Sequence, residues 1–188
     1  MGYAKLKAKI SIEEYLSGEE VSPTRHEFLD GEVYAMAGAS QNHNRIAINL
    51  SNALSRHLES STCEPYAEGM KVKTSEDVFY YPDVLVTCEG NFKNPYYSEA
   101  PILIIEVTSP STAQIDRREK LRAYQQMPSV LEYVLVDQDK IAVEIHRRQP
   151  DARWITYFFN HNDEEFTLES VDLNMLLTEV YRRVTFED

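Results

Sequence analysis

Two carboxylates carry the chemistry this sequence can do. Asp83 sits in Tyr81-Pro82-Asp83-Val84-Leu85-Val86, and Glu106 in Pro101-Ile102-Leu103-Ile104-Ile105-Glu106-Val107-Thr108. Each run is short, apolar and rich in β-branched residues, with Gly, Pro or Ser at its bounds, the pattern of a central strand buried on both faces. A charge in such a run is costly unless it is paired, hydrogen-bonded or bound to a metal. Side chains alternate along a strand, so Ile102, Ile104, Glu106 and Thr108 share one face, as do Asp83, Leu85 and Thr87. If those faces coincide, Asp83 and Glu106 converge on one hard cation, with the backbone carbonyl of Val107 and waters completing an oxygen shell. Mg²⁺ takes sites of this kind, using one or two carboxylates and retained waters. There it would lower the pKa of a bound water and stabilise charge on a phosphoryl oxygen. The plainer reading of either acid alone is a buried carboxylate paired with arginine or with backbone amides.

The elements that must position these groups follow from local pattern. Ser11-Ile12-Glu13-Glu14 is a capping box opening a short helix that ends near Gly18. Arg25 to Ala37 reads as a hairpin turning at Asp30-Gly31, which sets Glu27 opposite Tyr34 on one face. From Ser40 to about Ser60 the pattern is helical: Ala47, Leu50, Leu54 and Leu58 form a stripe with Ile46 and Ala53 beside it. His43 and His57 fall on that stripe but are about 21 Å apart at the helical rise per residue, so they cannot serve one site. His57 reads as a boundary histidine; His43 lies in the first turn.

Glu68 to Thr74 and Val78 to Cys88 read as neighbouring strands, followed by a loop over 89–99 bearing Phe92, Tyr96 and Tyr97. After the strand with Glu106, Ser111 or Thr112 caps a helix running to Met127 and stopped by Pro128. Segments of β type follow at 131–137, 141–148, 154–159 and 166–168, and Leu173 to Tyr181 reads as a last helix. Strand, helix and strand over 101–137 predict a right-handed parallel crossover inside a mixed sheet. The class is an α/β sandwich.

The totals agree with one domain, 1–188, large enough for its own core. The longest apolar run is far short of a membrane span, and the N-terminus lacks the apolar centre of a signal peptide. Cys63 and Cys88 are too few and too far apart to suggest a disulfide framework or a zinc site, which points to a reducing cytoplasm. The net charge of −12 argues against nonspecific adhesion to nucleic acid, since that affinity comes from Lys and Arg displacing counterions.

Taken in order, a set of motifs resembles the Uma family of restriction-endonuclease-like proteins, within the PD-(D/E)xK nuclease superfamily. They are His-Glu-Phe-Leu-Asp-Gly-Glu at 26–32, His43 opening a helix, Tyr81-Pro82-Asp83, Glu106-Val107-Thr108-Ser109-Pro110-Ser111, Asp116 with Lys120 and Tyr124, and Leu131-Glu132-Tyr133. The resemblance implies a restriction-endonuclease-like mixed sheet flanked by helices, here with additional C-terminal strands. It also implies an endonuclease, active as a homodimer, that hydrolyses DNA phosphodiesters with Mg²⁺ or Mn²⁺ held by Asp83, Glu106 and the Val107 carbonyl. One departure matters: the superfamily places a lysine two residues after the second acid, where this chain has Thr108. The resemblance makes Lys120 the substitute that orients the nucleophile, while an ordinary helical ion pair with Asp116 is the plainer account of it. Glu27 is the N-terminal acid that joins such sites, with Glu32 as runner-up. His43 would bind a phosphate or tune a carboxylate. Arg117, Arg118 and Arg122 offer a basic patch or are simply solvated.

A rival reading is a non-catalytic dimeric binding or regulatory module that keeps the nuclease fold; the net charge and Thr108 both favour it. An RNA substrate is not separated from DNA by these residues. The late strands over 141–168, with Trp154, Tyr157, Phe158 and Phe159, supply a dimer interface or extend the core.

Overall fold

The computed structural model describes residues 9–67, 69–90, 94–110 and 112–186. The first helix, α1 (Ile12–Val21), opens with both halves of its capping box, and runs past Gly18. Strands β1 (His26–Leu29) and β2 (Glu32–Ala35) form the expected hairpin, with Glu27 paired to Tyr34. Its turn residues Asp30 and Gly31 have φ of 50° and 89°, the positive pair that a two-residue hairpin turn of matching twist requires. Ser40 caps α2 (Gln41–His57) by accepting the His43 N–H at 3.0 Å, and Ile46, Ala47, Leu50 and Leu54 line its buried face.

Next come β3 (Glu64–Ala67), β4 (Lys71–Ser75), β5 (Val78–Tyr80), β6 (Val84–Thr87), β7 (Tyr97–Ser98) and β8 (Pro101–Thr108). The single strand expected from Val78 to Cys88 is two. Tyr81-Pro82-Asp83 breaks it, because Pro82 has no N–H to give a ladder, and the chain passes there from one sheet to another. The connection after β8 is α3 (Ala113–Ile115), a π-helical turn over Asp116–Lys120, and α4 (Leu121–Gln126). Thr112 makes no side-chain cap, and the alternative cap Ser111, like Glu68 and Phe92, lies outside the described residues.

The chain ends with β9 (Glu132–Asp137), β10 (Ala142–Arg148), β11 (Trp154–Asn160), β12 (Glu165–Leu168), β13 (Leu173–Leu176) and α5 (Leu177–Val180). The last helix expected over 173–181 is therefore mostly strand. Leu173 and Met175 turn toward the core while Asn174 and Leu176 face solvent, a period of two that pairs with β12.

One sheet has the order β2-β1-β5-β4-β7 and the other β11-β10-β9-β8-β6-β3. The parallel crossover predicted over 101–137 is present, with Leu103 paired to Glu132 and Thr108 to Asp137. One face of the six-stranded sheet, including Val84, Val86, Leu103, Ile105, Val134 and Val136, packs on α2. The other carries Leu85, Ile104, Tyr133 and Leu135 against Tyr124 of α4 and against Val72 and Tyr80 of the five-stranded sheet. The site lies in this second layer. No helix among the described residues is long and apolar enough to cross a membrane.

The cysteines correct the expectation from sequence: Cys63 and Cys88 form a disulfide. Glu64 pairs with Thr87, so the next pair outward across the β3–β6 ladder is the two cysteines. Their separation along the chain hid a cross-strand neighbour.

Candidate active site

Strand register brings the two acids together. Val84 pairs with Ile105 in the antiparallel β6–β8 ladder. One step further sets Asp83 opposite Glu106, and opposed residues of such a pair share a face. The Asp83 carboxylate is held at both oxygens. Oδ2 accepts the Val107 N–H at 2.7 Å, and Oδ1 lies 2.8 Å from His43 Nε2. His43 reaches it from the first turn of α2, on the same stripe that packs that helix against the sheet. Val107 thus meets Asp83 through its amide.

Lys120 arrives from the other side of the layer. In the π-helical turn Asp116–Lys120, the first and last residues are buried while Arg117, Arg118 and Glu119 stay exposed. The Lys120 ammonium is 3.0 Å from Glu106 Oε1, 2.9 Å from Glu27 Oε1 and 3.6 Å from Asp116 Oδ1. Glu27 comes from the five-stranded sheet. Phe28 pairs with Phe79, so Glu27 and Tyr80 form the next pair and face the same way. The Tyr80 ring lies under the ammonium, 5.5 Å from Nζ to its centroid. Behind the cluster, the Tyr124 hydroxyl donates to Glu106 Oε1 at 3.3 Å and the Tyr133 hydroxyl to the Asp116 carbonyl at 3.2 Å.

Burial pushes the Glu106 carboxyl well above its usual range; Lys120 works against this, and Asp116, Asp83 and Glu27 add to it. Asp116 moves the same way, through burial opposed by Lys120 and by the Thr112 hydroxyl. Burial alone would lower Lys120, but Glu106, Glu27 and Asp116 outweigh it and hold the ammonium protonated well above its ordinary range. Burial also raises the Tyr80 phenol, to about 12.

The charges do not balance. One ammonium faces three carboxylates, with Asp83 as a fourth beside them. Glu27 Oε1 and Asp116 Oδ1 are buried and have to share that one ammonium with Glu106. Such a set, all hard oxygen donors with negative charge in excess, fits Mg²⁺ or Mn²⁺ better than a soft metal. Among the described residues no group of three or more acids, histidines or cysteines forms a ready cage. Mg²⁺ does not need one, since it keeps waters and takes one or two carboxylates.

All five residues singled out from sequence, Asp83, Glu106, Lys120, Glu27 and His43, meet in this cluster. Glu32 does not; it is exposed and accepts the Tyr34 hydroxyl at 2.7 Å. Arg117 binds Glu144 at 3.0 Å, and Arg118 and Arg122 are exposed. His57 is the boundary histidine expected, its Nε2 2.8 Å from the Val171 carbonyl. Sequence reasoning missed Tyr80 and gave Tyr124 no role. The pairing of β1 with β5 would have identified Tyr80, and the spacing of Lys120 and Tyr124, one helical turn, was the available signal for Tyr124.

Known proteins share this fold. A crystal structure of a putative nuclease belonging to DUF820 from Anabaena variabilis superposes with a TM-score of 0.74 at 17% identity, covering 94% of this chain and 99% of that one, a likeness of fold. An uncharacterized protein of Synechocystis sp., slr1290, is 34% identical over 180 residues, 95% of this chain and 94% of its own length. A second from the same organism, sll1609, is 33% identical over 172 residues, 86% of this chain and 95% of its own length. The model of the family Uma2, described as "Putative restriction endonuclease", matches residues 12–178, and the chain belongs to that family.

Proposed function

We propose that this protein is a Mg²⁺-dependent endonuclease that hydrolyses phosphodiester bonds, with DNA as its substrate and Mn²⁺ as an alternative ion. The observation that carries the reading is the convergence of Glu106, Glu27 and Asp116 on Lys120, beside Asp83 on the same face. Asp83 and Glu106 would hold the ion, with the Val107 backbone beside them. When bound, the ion supplies a water acidic enough to attack at neutral pH and neutralises charge on the phosphoryl oxygens.

The chain's own residues do the rest. Lys120 donates to the attacking water and steadies the charge that grows on the phosphorus centre, the part that the missing lysine at position 108 would otherwise play. Glu27 fixes the ammonium from the opposite sheet, and the Tyr80 face closes over it. His43 and the Val107 amide keep the Asp83 carboxylate in one orientation. Tyr124 holds Glu106 Oε1 from behind.

Thr108 is the observation that favours the second reading, a non-catalytic binding module. It is 2% exposed and cannot provide a cation. Lys120, 3.0 Å from Glu106, supports the catalytic reading against it. Nicking of supercoiled plasmid decides between the two: Mg²⁺-dependent cleavage by the wild type, lost in Asp83→Ala with an unchanged circular dichroism spectrum, is the expected result. Equal cleavage by variant and wild type would remove Asp83 from the mechanism.

A further inference from the structure

The open edges of the sheets are not alike. β3, at one end of the six-stranded sheet, carries Glu64 and Pro65 and is tied by the Cys63–Cys88 disulfide; β2, at the end of the other sheet, opens with Glu32. Charge, proline and short length are the usual means of keeping an edge from pairing. β11, at the opposite end of the six-stranded sheet, has none of them. Trp154-Ile155-Thr156-Tyr157-Phe158-Phe159-Asn160 is seven residues long, without a charge or a proline, and its register with β10 runs unbroken from Arg148↔Trp154 to Ala142↔Asn160. Phe158 is 71% exposed and Ile155 41%.

The hydrogen-bond phase of β11 fixes which groups face outward. The Gln149 N–H donates to the Arg153 carbonyl at 2.7 Å, so 149 and 153 form a bonded pair. Bonded and non-bonded pairs alternate in an antiparallel ladder. Ile155, Tyr157 and Phe159 therefore spend their backbone groups on β10, while those of Trp154, Thr156, Phe158 and Asn160 point to the open side. Arg148 and Asn160 confirm the phase from both ends. The Arg148 N–H turns to the Leu131 carbonyl, and Asn160 exchanges its N–H and carbonyl with Asp163 at 2.8 and 2.9 Å. Among the described residues, Trp154, Thr156 and Phe158 are left with edge groups that no partner takes.

We propose that β11 pairs antiparallel with β11 of a second copy of this chain, about a two-fold axis at Thr156. In that register Thr156 faces its own copy and Trp154 faces Phe158, so the three unpaired residues satisfy one another. Each pairing exchanges two backbone hydrogen bonds. Asn160 stays with Asp163. Trp154 and Phe158 make cross-strand aromatic pairs on one face, and Ile155 and Tyr157 meet on the other. Charge selects this occupant: at −12 two copies repel over most of their surface, and β11 is a neutral strip along which they can meet. The two six-stranded sheets become one continuous sheet, an isologous interface of the kind a two-fold demands.

Sedimentation velocity on the intact chain, with three variants, tests the register. The wild type should sediment as a dimer. Thr156→Lys sets two ammoniums face to face at the axis and should give a monomer with an unchanged circular dichroism spectrum. Thr156→Cys should form an intermolecular disulfide under mild oxidant, while Phe158→Cys, which faces a tryptophan, should not. A monomeric wild type, a dimer that survives Thr156→Lys, or cross-linking at 158 in preference to 156 would each overturn the proposal.

Discussion

Two buried glutamates on adjacent strands, Glu106 on β8 and Glu132 on β9, meet their cations in opposite ways. Glu132 is fully buried and balanced. Its Oε1 accepts Arg147 Nε at 2.8 Å, and its Oε2 accepts the Ser170 N–H at 2.8 Å and the Ser170 hydroxyl at 2.6 Å. Arg147 is used up as well, on the Thr167 carbonyl and on Glu169. This is a clamp: one cation, its acids, and every oxygen of Glu132 satisfied, tying the turn after β12 to the sheet. Glu106 instead shares one ammonium with Glu27 and Asp116, so three acids divide a single cation. A clamp needs nothing more, whereas the cluster around Lys120 gains by taking up positive charge. Stoichiometry, more than burial, separates the structural pair from the candidate site.

The sharpest way to break that contrast is in activity. Asp83→Asn or Glu106→Gln should lower Mg²⁺-dependent plasmid cleavage by about 10²–10³-fold, on the scale of losing one group that stabilises developing charge. Glu132→Gln should leave cleavage per folded molecule within a few-fold of wild type, measured as turnover at saturating substrate.

Stability comes next. Lys120→Met strands three buried carboxylates, and Arg147→Met strands Glu132, so each should cost about 3–5 kcal/mol in urea unfolding. The two should differ in rescue. Millimolar Mg²⁺ should restore part of the loss in Lys120→Met, because an ion bound by the native state alone stabilises it, and none in Arg147→Met.

The buried acids around Lys120 also set a pH dependence. Glu106 and Asp116 have raised carboxyl pKa values, first through burial, so the native state binds more protons than the unfolded chain above the ordinary carboxylate range. Stability from these two groups is therefore greatest at acid pH and falls as pH rises from the unfolded values toward the raised ones. Lys120, raised against the pull of burial, keeps its contribution below the ordinary lysine pKa and loses it only as pH climbs through its own raised value. Urea midpoints measured from pH 4 upward should thus decline in the wild type and decline less in Glu106→Gln. The smallest effect is that of Tyr124→Phe, which removes one hydrogen bond to Glu106 and should cost about 1 kcal/mol in unfolding.

Much of the site was legible because it rests on local rules. The capping box at Ser11, the Asp30-Gly31 turn and the crossover over 101–137 are set by nearby residues, and strand alternation then places Asp83 and Glu106. Lys120 was reached through the family resemblance, one helical turn from Asp116. What stayed hidden depends on which strands become neighbours. Tyr80 enters the site only because β1 lies beside β5, and Cys63 meets Cys88 only because β3 lies beside β6. Val78 to Cys88 was read as one strand, whereas the break at Pro82 moves the chain between sheets and so joins Glu27 to Asp83. The shared face of Asp116 and Lys120 was legible from their i,i+4 spacing, although the π-helical form of that turn was not.

Calorimetric titration of Mg²⁺, and separately Mn²⁺, into the purified protein and its Glu106→Gln variant tests the central claim most directly. The cluster around Lys120 predicts saturable binding to the wild type at millimolar metal or below, with protons released as the raised carboxyls ionise, and its loss in the variant. No saturable binding to the wild type, or the same binding in both, would contradict it.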